Sequence, residues 1–202
     1  MPAIPVRGVI FDLDGTLVDS GLDFEQMRRE MGLPPGQALL EALATLDEPH
    51  ASHCRQILDR HEWAGAEQAR IMPGVEEFLA ALHTRGIRRA VLTRNAREVT
   101  LATLRRLALE FDPIFAREDA PAKPDPSAIW RICETWKLPP EEVVMLGDFY
   151  FDIEAGRRAG VRTVLFTEGA EPHTVRGHDL ADYCLRSFLE AEELLAWLAE
   201  SA

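Results

Sequence analysis

The sequence predicts an α/β fold, a parallel sheet flanked by helices, with a small all-helical insertion after the first strand. Three observations carry this. Short apolar runs of strand length alternate with amphipathic stretches of helix length, which implies a parallel sheet with right-handed crossovers. The segment Val6 to Leu17, VRGVIFDLDGTL, runs apolar through Val9, Ile10 and Phe11 and breaks abruptly into Asp12, Leu13, Asp14, Gly15 and Thr16. Such a run fits a strand buried on both faces that emerges into polar surroundings. Between Gly21 and Met72 no strand signal appears.

The elements follow in order. Phe24, Met27 and Met31 share one helical face, and Gly32 with Pro34 and Pro35 closes that helix. Leu39, Leu40, Leu43 and Leu46 form a second stripe ending near Pro49, and a third helical stretch runs from about Ala51 to Ile71. An insertion this small has to rest on something larger. Pro73 and Gly86 bracket a helix over Val75 to Arg85. A strand within Ile87 to Thr93, a helix over Ala96 to Leu109 and a short strand at Ile114 and Phe115 come next. Then follow a helix from Pro126 to Lys137, a buried strand from Val143 to Leu146, a helix to about Ala159 and a strand from Val161 to Phe166. Tyr183 and Cys184 suit an edge strand, and Phe188 to Leu198 a closing helix. The expected organisation is a core of residues 1–20 and 73–202 with a helical cap of residues 21–72.

Composition narrows the function classes. The net charge of −12 argues against nucleic acid and anionic membrane surfaces as partners. No apolar stretch approaches the roughly 18–20 residues that span a bilayer. The stretch from Met1 to Asp12 lacks a signal-peptide pattern, and Cys54, Cys133 and Cys184 are odd in number and widely spaced. Reduced thiols in a cytoplasm are the expectation. Oligomeric state is open between monomer and homodimer.

The strand ends carry the chemistry. In an open parallel sheet they converge on one edge, where ligands bind. That edge collects Asp12, Asp14, Asp148 and Asp152 with Thr93, while Lys123 lies in a loop between elements. Two carboxylates two residues apart repel each other and lose hydration, so folding alone gives little reason to place them there. Clustered carboxylates with one ammonium suit a hard divalent cation such as Mg²⁺. Thr93, Lys123 and the amides around Leu13 and Asp14 suit a phosphate.

These residues fall into a recognisable pattern. Asp12-Leu13-Asp14-Gly15-Thr16, Leu92-Thr93-Arg94-Asn95, Lys123-Pro124-Asp125-Pro126 and Gly147-Asp148 with Asp152 occur in this order along the alternating α/β pattern. In this the chain resembles the haloacid dehalogenase superfamily, close to its phosphoglycolate phosphatase-like branch. The resemblance covers roughly residues 5–20 and 73–202 and, in the cap, only position and helical character. It implies a Rossmann-like core and a phosphatase acting on a small phosphorylated metabolite. Asp12 would be the nucleophile and Asp14 the acid and base. Leu13, Thr93, Arg94, Asn95 and Lys123 would bind phosphate. Mg²⁺ would be held by the Asp12 carboxylate, the Asp14 carbonyl and Asp148, with Asp152 in support. One departure stands out: Phe149, Tyr150 and Phe151 fill a stretch where relatives often carry a small polar residue.

Lys123 could be a solvated loop lysine, but the chain has two lysines against twenty arginines and keeps one at this position. Asp152 suits a helix start as well as a metal. His50, His53, Cys54 and His61 match no common zinc spacing and read as a solvated helix face. Trp130 and Trp136 read as core or rim residues. A phosphotransferase or mutase would use the same aspartyl-phosphate, and a binding protein on this scaffold would use none of it. A phosphonatase of this superfamily would need a cap lysine, and residues 21–72 contain none. The cap is expected to act as a mobile lid, with Asp23, Gln26, Arg28 and Arg29 as its candidate contacts to the site.

Overall fold

The computed structural model describes residues 5–200; the remaining ends of the expected core, 1–4 and 201–202, lie outside them. The chain forms β1 (Gly8–Phe11), β2 (Val18–Asp19), α1 (Phe24–Met31), α2 (Leu39–Leu43), α3 (His50–Gln68), β3 (Arg70–Ile71), α4 (Val75–Thr84) and β4 (Arg88–Leu92). It continues with α5 (Arg97–Arg106), β5 (Ile114–Phe115), α6 (Ser127–Trp136), β6 (Val143–Gly147), α7 (Tyr150–Ala159), β7 (Arg162–Phe166), β8 (Tyr183–Leu185) and α8 (Glu192–Glu200). Six strands make one sheet in the order β5-β4-β1-β6-β7-β8, and every neighbouring pair is parallel. This is the expected Rossmann-like α/β fold. From the centre the chain builds outward to β4 and β5 on one side and to β6, β7 and β8 on the other. The carboxyl end of β1 is therefore a topological switch point, where such sheets bind ligands.

Alternation along each strand divides the core in two. Val9 and Phe11 join Val91, Val144, Leu146 and Val164 beneath α4 and α8, where Phe78, Leu82, Leu194 and Leu198 cover them. Ile10 joins Ala90, Leu92 and Met145 on the other face, under Ile129, Ile132 and Trp136 of α6 and Ala155 of α7. Phe11 meets the rings of Phe78 and Phe111 edge-on, at 6.2 and 5.9 Å. Each such side chain, fully buried, contributes about 1.5–3 kcal/mol. Trp136 packs in the core, whereas Trp130 is half exposed and donates its indole N–H to the Ala159 carbonyl.

Two expectations need correction. Residues 21–72 carry no strand signal in the sequence, yet β3 pairs antiparallel with β2, Val18 opposite Ile71 and Asp19 opposite Arg70. α3 therefore ends at Gln68, and Ala69 takes up an extended backbone. A two-residue strand is too short to show alternation, and its partner lies far away in sequence. The helix expected over Phe188 to Leu198 is in fact a 3-10 turn, Phe188–Glu190, followed by α8. The turn sets the Phe188 ring against Phe78 at 5.4 Å and Phe166 at 4.8 Å, a tertiary contact that outweighs helix periodicity.

Helices α1, α2 and α3 share a small core of Met27, Met31, Leu39, Cys54, Ile57 and Leu58. Asp23 caps α1 by accepting the Gln26 N–H at 2.8 Å, and Gly32 closes it in the left-handed conformation, φ 69°. The two tethers of this insertion are the β2 and β3 strands, joined side by side next to the carboxyl end of β1.

Candidate active site

The loop after β1 is folded tightly. Asp12 donates its N–H to the Leu146 carbonyl at 2.9 Å, and Leu17 and Val18 both donate back to the Leu13 carbonyl, at 2.9 and 3.0 Å. Gly15 sits at φ +77°, and a Cβ there would collide with the Asp148 carboxylate. Gly147 has ordinary backbone angles, but a Cβ on it would collide with Asp152. These two glycines let the acidic side chains close around Asp12.

Asp12, Asp148 and Asp152 each offer an oxygen, and these atoms lie within 4.8 Å of one another. Lys123 answers them: its Nζ stands 2.5 Å from Asp12 Oδ1, 2.6 Å from Asp152 Oδ1 and 2.8 Å from the Leu92 carbonyl. The side chain is 3% exposed, so this lysine is a built part of the site. Asp152 Oδ2 accepts the Phe149 N–H at 3.0 Å, which starts α7 as the helix-start reading anticipated. Thr16 donates its hydroxyl to Asp148 Oδ1 at 3.2 Å.

Burial dominates the electrostatics. It pushes the Asp12 carboxyl up from its ordinary range, with Lys123 and the Leu13 amide drawing it partly back. Burial also pushes up Asp148, reinforced by Asp12 and Asp152, and takes Asp152 to about 6 against the pull of Lys123. For Lys123 burial works downward, but Asp12 and Asp152 together more than offset it and the ammonium is held above its ordinary value. Three crowded carboxylates against one ammonium leave a net negative, oxygen-lined site. This donor set fits a hard divalent cation such as Mg²⁺, and binding one would relieve the repulsion that raises these carboxyls.

Asp14 lies beside this group rather than in it. Asn95 Nδ2 donates to Asp14 Oδ2 at 2.5 Å, and a hydrogen bond from Ser20 also favours its charged form, yet burial keeps the carboxyl raised. Thr93 leaves the end of β4 with its N–H on the Phe115 carbonyl at 2.9 Å, and its Oγ1 accepts the Asn95 N–H at 3.2 Å. The Leu13 side chain is fully buried; what it offers the site is its peptide. Asp12, Asp14, Asp148, Asp152, Thr93, Asn95, Lys123 and the Leu13 amide are thus brought to one sheet edge. Arg94 is turned elsewhere. Its guanidinium grips both oxygens of Glu41 at 2.8 and 2.7 Å, donates to the Lys123 carbonyl at 2.8 Å and lies over the Phe151 ring at 4.9 Å.

The insertion reaches the site through residues the sequence reading did not single out. Asp23 is spent on the α1 cap, and Arg28 bonds Glu25 and the Gln37 carbonyl. Glu41 and Glu62 make the contacts to the sheet domain instead, Glu62 with Arg117 at 2.6 Å. Glu62 shares the buried face of α3 with Leu58 and Ala66, and that spacing of four was the available signal. Thr16, part of the first motif but given no role of its own there, is a further such residue, through its hydroxyl on Asp148. His50 and Cys54 both bond the Met31 carbonyl, at 3.1 and 3.8 Å, and His61 bonds Glu30 at 3.1 Å. Among the described residues they build no metal site.

The comparisons with known proteins agree with this architecture. The model of the haloacid dehalogenase-like hydrolases matches residues 6–160. A haloacid dehalogenase-like hydrolase domain-containing protein of Arabidopsis thaliana is 32% identical over 94% of this chain and 84% of its own length. A phosphoglycolate phosphatase of Nitrosospira multiformis is 31% identical over 78% and 81%. Among solved structures, a haloacid dehalogenase-like hydrolase of Streptococcus pneumoniae superposes with a TM-score of 0.74 at 25% identity, covering 95% of this chain and 98% of its own. With the family model spanning most of the chain and the carboxylate edge in place, the chain belongs to the haloacid dehalogenase-like hydrolases.

Proposed function

We propose that the chain is a Mg²⁺-dependent cytoplasmic phosphatase that hydrolyses a small phosphorylated metabolite through an aspartyl-phosphate on Asp12. The observation that carries this is the Asp12 carboxylate at the switch point of the sheet, paired with the buried Lys123 and crowded by Asp148 and Asp152. A relative named for phosphoglycolate supports a small substrate. No helix of the described residues is long and apolar enough to cross a membrane.

The residues divide the work. An Asp12 oxygen attacks phosphorus while the bond to the leaving oxygen breaks. Asp14, its carboxyl raised by burial, gives that oxygen a proton. Asp14 then takes a proton from water, the water oxygen attacks phosphorus, and the bond to Asp12 breaks to free phosphate. Lys123, Thr93, Asn95 and the Leu13 amide hold the transferring oxygens and spread their charge, while the Arg94 guanidinium stays on Glu41. Mg²⁺, held by Asp12, the Asp14 carbonyl and Asp148 with Asp152 in support, would neutralise the repulsion between carboxylate and phosphate. Residues 21–72 form the cap, which shields these steps from bulk water and selects the leaving group.

Metal removal gives the first test. In a screen of phosphorylated metabolites, phosphate release is expected to vanish with excess chelator and to return with Mg²⁺ but not with Ca²⁺. The larger, looser Ca²⁺ shell spoils the in-line arrangement. Full activity in excess chelator refutes the metal role of Asp148. Sustained release of inorganic phosphate separates the phosphatase from a phosphotransferase, which would pass the group to another acceptor.

A further inference from the structure

Among the described residues, two ion pairs join the inserted helices to the sheet domain, and they differ in kind. The Glu41–Arg94 pair lies at the surface, with the Glu41 side chain 49% exposed. The Glu62–Arg117 pair is internal, with the Glu62 side chain 3% exposed. Exposed pairs contribute little and are easily exchanged for water, whereas a buried carboxylate is strongly committed to its partners.

The partners of Glu62 form a pattern. Its Oε2 accepts from Arg117 Nη2 at 2.6 Å and from the Ala96 N–H at 3.2 Å. Arg117 in turn donates from Nε to the Arg94 carbonyl at 3.2 Å and from its peptide N–H to the Asn95 carbonyl at 2.9 Å. Together the two residues grip three successive residues of the backbone, 94 to 96. That short segment holds Asn95, whose amide donates to Asp14. Anchoring α3 does not require this arrangement, because Arg106 already ties its C-terminal end to α5 through the carbonyls of Ala66 and Ala69.

We propose that Glu62 is a positioning residue for proton transfer at Asp14: with Arg117 it fixes residues 94–96 so that Asn95 holds the Asp14 carboxyl toward the leaving oxygen. This rests on the phosphatase reading above. Proton delivery is then complete only when α3 is seated on the sheet domain. The exposed Glu41–Arg94 pair can open without disturbing it.

The leaving group reads this out. An alkyl phosphate must have its departing oxygen protonated, whereas a nitrophenyl phosphate expels a stable phenolate and needs Asp14 little. kcat/KM reports the steps through transfer to Asp12, so it isolates the acid role. The full chain with Mg²⁺ is compared with Glu62→Gln, Arg117→Lys and Glu41→Gln on both esters. For the first two variants, kcat/KM for the alkyl ester is expected to fall at least about tenfold further than for the nitrophenyl ester, a part of the roughly 10²–10⁴ that general acid catalysis supplies. Glu41→Gln should leave the ratio of the two unchanged. Thermal unfolding confirms that each variant is folded, and Arg117→Lys carries the test if Glu62→Gln is not. Equal losses on both esters in a folded variant make Glu62 a structural anchor only and overturn the proposal. If the wild-type chain frees phosphate from neither ester, the phosphatase reading falls, and this inference with it.

Discussion

Asp12→Asn is expected to fold normally and to lose at least about 10³-fold in kcat/KM, since removing a covalent nucleophile costs more than removing any group that only assists it. The fold should tolerate the change. Asp12 is a partly buried carboxylate whose charged form desolvation already disfavours, and Asn keeps its shape. Lys123 would still face Asp152 at 2.6 Å, so the ammonium keeps a counter-charge. Thermal unfolding and phosphate release on the same preparation check both halves. Activity within about tenfold of wild type removes Asp12 from the nucleophile role.

Lys123→Met should act on stability as well as rate. The Lys123 Nζ is set among Asp12, Asp152 and the Leu92 carbonyl. Without it, the buried Asp152 and the partly buried Asp12 lose their counter-charge, and breaking a buried pair typically costs about 3–5 kcal/mol. For a chain of this size that lowers Tm by roughly 6–20 °C. The sign with pH follows from Asp152, raised to about 6 even beside Lys123. A carboxyl raised above its unfolded value binds protons in the folded state, so its ionisation opposes folding. The deficit of the variant therefore grows as pH rises through that range and shrinks as it falls. Added Mg²⁺ should also shrink it. Catalysis should fall at least about 100-fold, the scale of losing one preorganised charge-stabilising donor. A variant with unchanged Tm and activity would return Lys123 to the solvated loop reading.

What the sequence made legible follows physical lines. The strands β1 and β6 and the Ala90–Leu92 end of β4 are buried on both faces and so appear as bare apolar runs. Their ends are where polarity returns, which is why Asp12, Thr93 and Asp148 could be assigned to one edge before any geometry was known. Lys123 stood out because lysine is rare in this chain. β3 could not be read, because Arg70 and Ile71 owe their conformation to pairing with β2 rather than to any local pattern. The Phe188 turn owes its shape to rings on α4 and β7. Glu62 and Arg117 look like surface charges in isolation, and only the seating of α3 on the 94–96 segment makes them partners. Asp23 and Arg28, expected as candidate contacts to the site, are used up inside the inserted helices. Phe149, Tyr150 and Phe151 leave Asp152 in place, which reaches the Phe149 amide and starts α7 as a capping residue would. The exposed Phe149 ring rests on Phe151 instead.

The central claim is that phosphate passes through Asp12 before water receives it. The stereochemical course at phosphorus tests this most directly, using a substrate ester made chiral at phosphorus with oxygen isotopes and hydrolysed by the wild-type chain with Mg²⁺. Two successive in-line displacements, at Asp12 and then by water, predict net retention of configuration. Net inversion would mean that water attacks the substrate directly, and would contradict the account.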